Sequence, residues 1–361
     1  MQTYRILDPA PAEPNSDKAQ DSPAATPRAA ADADKHHSTR PGSRARTAAR
    51  LRSPESRQHR RLVFTLLFQW VREIGRTEHV ISTSRLLTWI RHRWEGLQAT
   101  MQFDNWPFLI IQRCCLQTPM VYRKRNVRFL VDRAGGDQYG LIECLARDMY
   151  SRYFSRLPKG RPVRVLDLGA NSGGFGLALI VAGFEIERIV AVEMNLRTHA
   201  RLAFNLVNNI GSNAALVHAA VCEAKRSVHV ADNGGWVGNS IYDQHPGDIP
   251  TLEVPGVTLD ELTSTYFPNG RADILKMDIE FAEYEVLFSE TCKSIVQYDY
   301  LLIEIHEDDH RKKDSLIQRL DELNFEMLAG ESNRWKGVYF FGNRLRSETA
   351  NARESTRKQR E

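Results

Sequence analysis

The run Val163-Arg164-Val165-Leu166-Asp167-Leu168 passes without a break into Gly169-Ala170-Asn171-Ser172-Gly173-Gly174, and a second apolar stretch follows at once. No other segment narrows the fold as much, because it predicts a buried strand over 163–168, a glycine turn and a helix over 174–182. Glycines at 169 and 173 tolerate dihedrals that a Cβ disfavours, and they let backbone N–H groups approach a ligand at the helix start. A further apolar run, Arg188 to Glu193, ends on an acid at about the 20-residue offset where a ribose-binding carboxylate is expected. Strand, turn and acid together read as a nucleotide-cofactor loop.

Downstream the pattern alternates: helix 196–209, strand 214–221, a polar excursion rich in Gly and Pro, strand 272–279, helix 281–289, strand 300–306 and helix 313–323. Such alternation predicts an α/β fold, a mostly parallel Rossmann-like sheet wrapped by helices. Two last strands, about 325–329 and 337–342, lie at hairpin distance and predict an antiparallel C-terminal hairpin at the sheet edge. Upstream, Leu66, Trp70, Ile74, Leu86, Leu87, Ile90 and Trp94 recur at helical steps between Leu62 and about Gln102 and are expected to face a core or a groove. Phe108–Ile111 and Asn126–Val131 read as short strands, followed by a turn at Gly135-Gly136-Asp137 and a helix from about Tyr139 to Phe154.

Residues 1 to 58 carry almost no aromatic or branched residues, so they offer no core to offset the entropy of ordering. They read as a disordered basic tail, with Arg40, Arg44, Arg46, Arg50, Arg52, Arg57, Arg60 and Arg61 in and just beyond it. A nucleic-acid arm would use the same arginines, but no aromatics interleave them, and nucleic acid is not the expected partner. The expected organisation is therefore a tail over 1–58, a helical extension over 59–137, the cofactor-binding domain over 138–345 and a second disordered tail over 346–361.

The 361 residues are 42% hydrophobic with a formal net charge of +4, which fits a globular protein with at least one sizeable core. The five cysteines, Cys114, Cys115, Cys144, Cys222 and Cys292, are odd in number and lack C-x-x-C spacing, so neither a disulfide framework nor a zinc site is indicated. A reducing cytoplasm fits them best. No basic start with an apolar core marks a leader, and the longest early apolar run, Leu62 to Trp70, falls short of a bilayer span. Nothing in the chain fixes an oligomeric state.

In an α/β sheet ligands sit beyond the carboxyl ends of the strands, and here those ends are strongly polar: Asp167, Glu193, Asp278, Glu280, Glu304 and His306. Acids at apolar strand ends are costly without partners. The motif 165–173, the acid Glu193, Val257-Thr258-Leu259-Asp260-Glu261-Leu262, Ile274-Leu275-Lys276-Met277-Asp278-Ile279-Glu280-Phe281-Ala282-Glu283 and Leu302-Ile303-Glu304-Ile305-His306 resemble, in order and spacing, the FkbM-type S-adenosylmethionine-dependent methyltransferases. The resemblance covers about Gly140 to Phe341. One departure stands out: Phe281 occupies a position where the family usually has glycine, and a ring there is expected to reshape the acceptor mouth.

The resemblance implies a class I methyltransferase sheet and S-adenosylmethionine as cofactor, held by Asp167, Gly169, Asn171, Ser172, Gly173, Glu193, Met194, Ala220 and Val221, with Glu193 on the ribose and Ala220-Val221 near the adenine. It also implies O-methylation of a hydroxyl on a sugar, glycan or polyketide-like metabolite. Proton management would fall to Asp278, His306 and Glu280 at the strand tips. A divalent ion held by those three is chemically open, but no ligand spacing compels it and no metal ligands are assigned. Lys276 and Glu283 read as structural. Three other readings remain: an NAD(P)-binding oxidoreductase, disfavoured because the glycines do not follow G-x-G-x-x-G from Gly169; a nucleic-acid methyltransferase, disfavoured for base amino groups because Asp104-Asn105-Trp106-Pro107 does not match an Asn/Asp-Pro-Pro-aromatic element; and a non-catalytic binding or scaffold protein.

Overall fold

The computed structural model describes residues 83–115, 119–232, 240–242, 250–268, 270, 272–332 and 336–346. The two expected tails and the helical pattern before residue 83 lie outside the described residues. The chain divides into two units, residues 1–90 and 91–361, and of the first only the opening turns of α1 (Thr83–Met101) are described. In α1 both Ile90 and Trp94 are exposed rather than packed.

In the second unit, α2 (Trp106–Cys115) replaces the strand expected at Phe108–Ile111. Periodicity alone cannot separate a short apolar run in a strand from one in a helix, and Pro107 falls in the first turn, where a missing N–H costs nothing. A hairpin follows, β1 (Met120–Lys124) against β2 (Val127–Val131). The helix expected to run to Phe154 stops early: α3 spans Asp137–Ala146, and a 3-10 turn covers Ser151–Arg156. Between them Asp148 takes a left-handed φ of 56° and accepts from the Ser151 hydroxyl, which ends one helix and starts the next turn.

The main sheet is built from β3 (Val163–Leu168), β4 (Ile186–Glu193), β5 (Ala214–His218), β9 (Ala272–Met277), β10 (Tyr298–His306), β11 (Phe325–Ser332) and β12 (Lys336–Asn343), in the order β11-β12-β10-β9-β3-β4-β5. Neighbours from β10 to β5 are parallel, whereas β12 runs antiparallel beside β10 and β11 closes the edge. The expected parallel sheet with a C-terminal hairpin is thus the observed one. All six residues of β9 are buried, as befits a central strand covered on both faces.

Helices α4 (Gly174–Val181), α5 (Leu196–Ile210), α6 (Leu259–Tyr266), α7 (Ala282–Phe288) and α8 (Lys313–Glu322) connect the strands. Asn195 caps α5 by accepting from the N–H groups of Arg197 and Thr198, and Thr258 caps α6. One core cluster joins Phe103, Leu109, Tyr122 and Phe129 to Val163, Phe175 and Phe340, so the segment from Ala99 onward shares its core with the main sheet. A second cluster fills the other face through Leu166, Leu275, Ile303 and Phe341. Cys144, Cys222 and Cys292 are free and buried.

The strand expected over 214–221 is two strands. At Ala219 the chain leaves the main sheet, and β6 (Ala220–Val221) pairs with β8 (Thr251–Val257), itself paired with β7 (Ser227–Ala231). Part of the polar excursion is therefore a small sheet, a pairing that no local pattern announces.

Gly169 has φ +70°, and a Cβ on it would lie 1.7 Å from the Asp278 carbonyl oxygen. Its role is to let the ends of β3 and β9 cross at contact distance. Gly183 shares a left-handed φ of +90° but has nothing within 4 Å of a Cβ. Gly183→Ala is expected to cost about 1–2 kcal/mol of backbone strain, and Gly169→Ala more than about 3 kcal/mol because backbone must move. Urea unfolding of the two variants measures the difference, and equal losses would show that the close approach is unimportant.

Candidate functional site

Beyond the carboxyl ends of β3, β4, β9 and β10 the chain encloses a cavity of about 360 Å³. Its wall includes Gly169, Ala170 and Asn171 of the turn, Glu193, Met194 and Asn195 after β4, Ala219, Ala220 and Val221, and on the far side Lys276, Asp278, Glu280, Glu304 and Lys336. Tyr150 and Glu143 complete it from the N-terminal segment.

The turn is held from behind. Asn171, itself at φ 50°, accepts on its side-chain oxygen from the Ser172 N–H (2.7 Å) and hydroxyl (2.9 Å). The amide of Asn205 on α5 donates to the Ser172 carbonyl (2.8 Å) and exchanges two bonds with the backbone of Leu130. One buried side chain thus ties the β2 edge, α5 and the glycine turn together.

Glu193 is half-buried at the tip of β4. Its two oxygens accept from the N–H groups of Asn171 (2.9 Å) and Asn195 (2.8 Å), which fixes the plane of the carboxylate. It makes no ion pair among the described residues, and burial pushes its carboxyl up to about 7 against the pull of those two backbone bonds. Met194 lines the cavity and offers its carbonyl to His218 Nε2 (2.9 Å).

On the opposite wall, Lys276 is buried in β9 as the register partner of Asp167 in β3. Its ammonium donates to the carbonyls of Gly169 (2.6 Å) and Leu168 (3.2 Å) and lies 3.3 Å from Asp167 Oδ1 and 3.6 Å from Asp278 Oδ2. Asp278 also accepts from the Tyr150 hydroxyl (3.3 Å). Burial opposes its ionisation, but Lys276 and His306 hold its carboxyl below the usual range. Glu304, paired with Lys336 at 2.6 Å, is pushed up to about 8 by burial and by Asp278.

His306 ends β10 and is buried between two acids. Nδ1 lies 3.2 Å from Glu283 Oε1 and Nε2 lies 3.2 Å from Glu280 Oε2. Burial alone would depress its pKa, yet the hydrogen bond to Glu283 and the charges of Asp278 and Glu280 raise it to about 9. Glu280 moves up to about 7 through burial and the neighbouring Asp278. Glu280 and Phe281 are consecutive left-handed residues, at φ 50° and 74°, and this explains the glycine usual at 281. The Phe281 ring packs on His306 (5.4 Å) beneath the Arg311 guanidinium (5.0 Å), which also covers Tyr242 (4.5 Å). Ser240 donates its hydroxyl to the Glu280 carbonyl (2.6 Å).

Of the residues singled out in the sequence, Gly169, Asn171, Glu193, Met194, Ala220, Val221, Asp278 and Glu280 share this one cavity wall. Asp167, Ser172, Gly173 and His306 do not line it: Asp167 faces Lys276, Ser172 is bonded inward, and Gly173 starts α4 against Leu202 and Leu206. Lys276 and Glu283, read as structural, are the groups that orient Asp278 and His306. Tyr150 and Lys336 went unnoticed because neither belongs to a local motif.

The sheet thus carries a cavity at its carboxyl edge with an acid clamped at the second strand tip, the place where ligands sit in α/β folds. Residues 167–327, a little under half of the chain, match the family model described as the methyltransferase FkbM domain. No curated protein matches the sequence. Among solved structures the chain is similar to a putative RNA methyltransferase from Pyrococcus horikoshii (12% identity, 54% of this chain and 81% of that one, TM-score 0.31). It is likewise similar to a tRNA m1G37 methyltransferase of M. jannaschii (12%, 63% and 57%, TM-score 0.36) and to TYW2 of M. jannaschii in complex with AdoMet (15%, 63% and 87%, TM-score 0.35). At these scores none carries an argument about substrate.

The site also sets a pH dependence. Glu193, Glu280 and Glu304 rise from 4.5 to about 7, 7 and 8, and His306 rises from 6.5 to about 9. The folded protein therefore holds protons that the unfolded chain has released, and stability falls with rising pH. The carboxyl share is lost between 4.5 and about 8, and the His306 share, full below 6.5, is lost through about 9. The melting temperature of the ligand-free protein is expected to drop between about pH 6 and about pH 9. A flat or rising profile by calorimetry contradicts this account.

Proposed function

We propose that the protein is an S-adenosylmethionine-dependent O-methyltransferase acting on a hydroxyl of a sugar, glycan or polyketide-like metabolite. The observation that carries the reading is the division of one cavity into a ribose-type acid, Glu193, on one wall and two acids, Asp278 and Glu280, at the other, with His306 behind Glu280. The residues present fit the cofactor. Glu193 keeps lone pairs free beyond its two backbone bonds, it makes no ion pair among the described residues, and the turn 169–171 and Ala220-Val221 line the same cavity.

When bound, S-adenosylmethionine supplies a methyl group on a cationic sulfonium. Glu193 would accept from the two ribose hydroxyls, a bidentate geometry suited to an ionised carboxylate. The turn would hold the amino-acid end through backbone groups, and the apolar pair Ala220-Val221 would flank the adenine. The excess of carboxylates around the cavity favours a cationic group.

An acceptor hydroxyl needs its proton removed. His306, named from sequence as a base candidate, is an imidazolium near neutral pH at a pKa of about 9, so it suits that task poorly. Glu280, on the cavity wall with a pKa of about 7, suits it better. Phe281, Arg311 and Tyr242 stack beside this cluster, where an acceptor ring would rest against them. The acceptor's small-molecule or glycan nature is part of the proposal.

Calorimetry with S-adenosylhomocysteine tests the cofactor half. The wild type is expected to bind it, and Glu193→Ala to weaken binding by roughly ten- to a hundredfold, the loss of bonds to a charged acceptor. Unchanged affinity in the variant, or tight binding of NAD by the wild type, would overturn the reading in favour of an oxidoreductase or a scaffold.

A further inference from the structure

We propose that Asp278, Glu280 and His306 bind one divalent metal ion, of the first-row transition series. One ligand atom from each lies within 4.8 Å of the others. Donors about 2.1 Å from a common ion sit roughly 3 Å apart when they coordinate at right angles. Glu280 Oε2 and His306 Nε2 already stand at 3.2 Å, and the Asp278 oxygen lies no more than 4.8 Å from either.

His306 is the stronger observation. Its side chain is 7% exposed, and Nε2 is buried without a hydrogen bond although Glu280 Oε2 is 3.2 Å away. Two polar atoms at that distance that are not aligned as donor and acceptor point to a third position between them. The other ring nitrogen is held by Glu283, whose side chain is 0% exposed and whose Oε1 also accepts from the Ile279 N–H at 3.0 Å. A carboxylate that accepts from Nδ1–H turns Nε2 toward Glu280, where an ion would replace the Nε2 proton of the imidazolium, the outer-shell arrangement that orients metal-binding histidines.

The backbone supports the same geometry. Glu280 and Phe281 hold consecutive left-handed conformations, a cost tolerated where it aims a side chain. Ser240 pins the Glu280 carbonyl, and the Phe281 ring packs on the His306 imidazole. Lys276 is shared among Asp278 Oδ2 at 3.6 Å, Asp167 and the strand-end carbonyls, and Lys336 pairs with Glu304. Glu280 pairs with no lysine or arginine among the described residues and meets only His306.

Two oxygens and one imidazole nitrogen choose among metals. Mg2+ and Ca2+ prefer oxygen throughout, whereas the imidazole draws ions such as Mn2+ and Fe2+ that accept both donor types. An ion here would lie on the wall assigned to the acceptor, and what it does for a hydroxyl rests on the methyltransferase reading; its binding does not.

The test uses the full chain, stripped by chelator and free of cofactor, titrated with Mn2+ while the free-ion signal is followed by electron paramagnetic resonance. One ion per chain is expected. Glu280→Gln, which keeps the shape of the side chain, should weaken binding at least tenfold, as should His306→Ala. Glu283→Gln should weaken it by about ten- to a hundredfold through loss of the orienting bond, and His310→Ala, at an exposed histidine, should leave it unchanged. Melting curves check that each variant folds, and if His306→Ala does not, Glu280→Gln reads the same site. No Mn2+ binding by the wild type, binding indifferent to Glu280→Gln, or equal displacement by Mg2+ would overturn the proposal. Because no cofactor is present, failure of S-adenosylhomocysteine to bind in the separate calorimetry would leave this outcome untouched.

Discussion

One buried ammonium holds the two halves of the site in register. Lys276 bonds the carbonyls of Leu168 and Gly169 at the end of β3 while sitting between Asp167 and Asp278. A lysine taken out of water costs several kcal/mol unless opposite charges and acceptors surround it. Here they do, and they raise its pKa despite burial. The arrangement is reciprocal: Asp167 is fully buried, and its oxygens have no hydrogen-bond partner other than this ion pair among the described residues. Breaking a buried pair by removing one member typically costs about 3–5 kcal/mol, because the survivor keeps its charge in a poor solvent. The glycine turn and the Asp278 tip are therefore positioned by a single electrostatic knot.

The main sheet was legible because its strands are nearly continuous apolar runs, and such runs mark strands buried on both faces. Strand-end acids were legible for the complementary reason, since charge has no place at the end of an apolar strand without a partner. What periodicity omits is which side chains meet. Lys276 and Asp167 are more than a hundred residues apart in sequence and directly opposite in register. Glu283 reads as a helix residue, yet its helix brings it under His306. The break at Ala219 was hidden because β6 is only two residues long and its partner β8 begins thirty residues further on. The helix at Trp106–Cys115 was misread because apolar content dominates both element types over ten residues.

The cavity gathers acids more densely than stability alone would favour. Glu193, Glu280 and Glu304 all hold their protons more tightly than free carboxyls, chiefly through burial. Raised acids are the mark of a site kept short of solvent and of counter-charge. The fold accepts this because its two core clusters and the central sheet are extensive and because each acid has at least one fixed partner, backbone N–H groups for Glu193, Lys336 for Glu304 and the imidazole for Glu280.

The small sheet β6-β8-β7 has a bearing on how such a chain diversifies. Its β6 strand supplies the wall at Ala220-Val221, but its hydrogen bonds are to β8 and not to the main sheet. Between β7 and β8 the chain runs from Asp232 to Pro250 and touches the site through Ser240 and Tyr242. Insertions or deletions in that span leave the register of the seven main strands unaltered, because loop closure grows only slowly more costly with length. Pocket floor and pocket rim thus rest on separate hydrogen-bond ladders: the strands that carry Glu193, Asp278 and His306 are paired within the main sheet, and the wall at Ala220-Val221 is paired with β8.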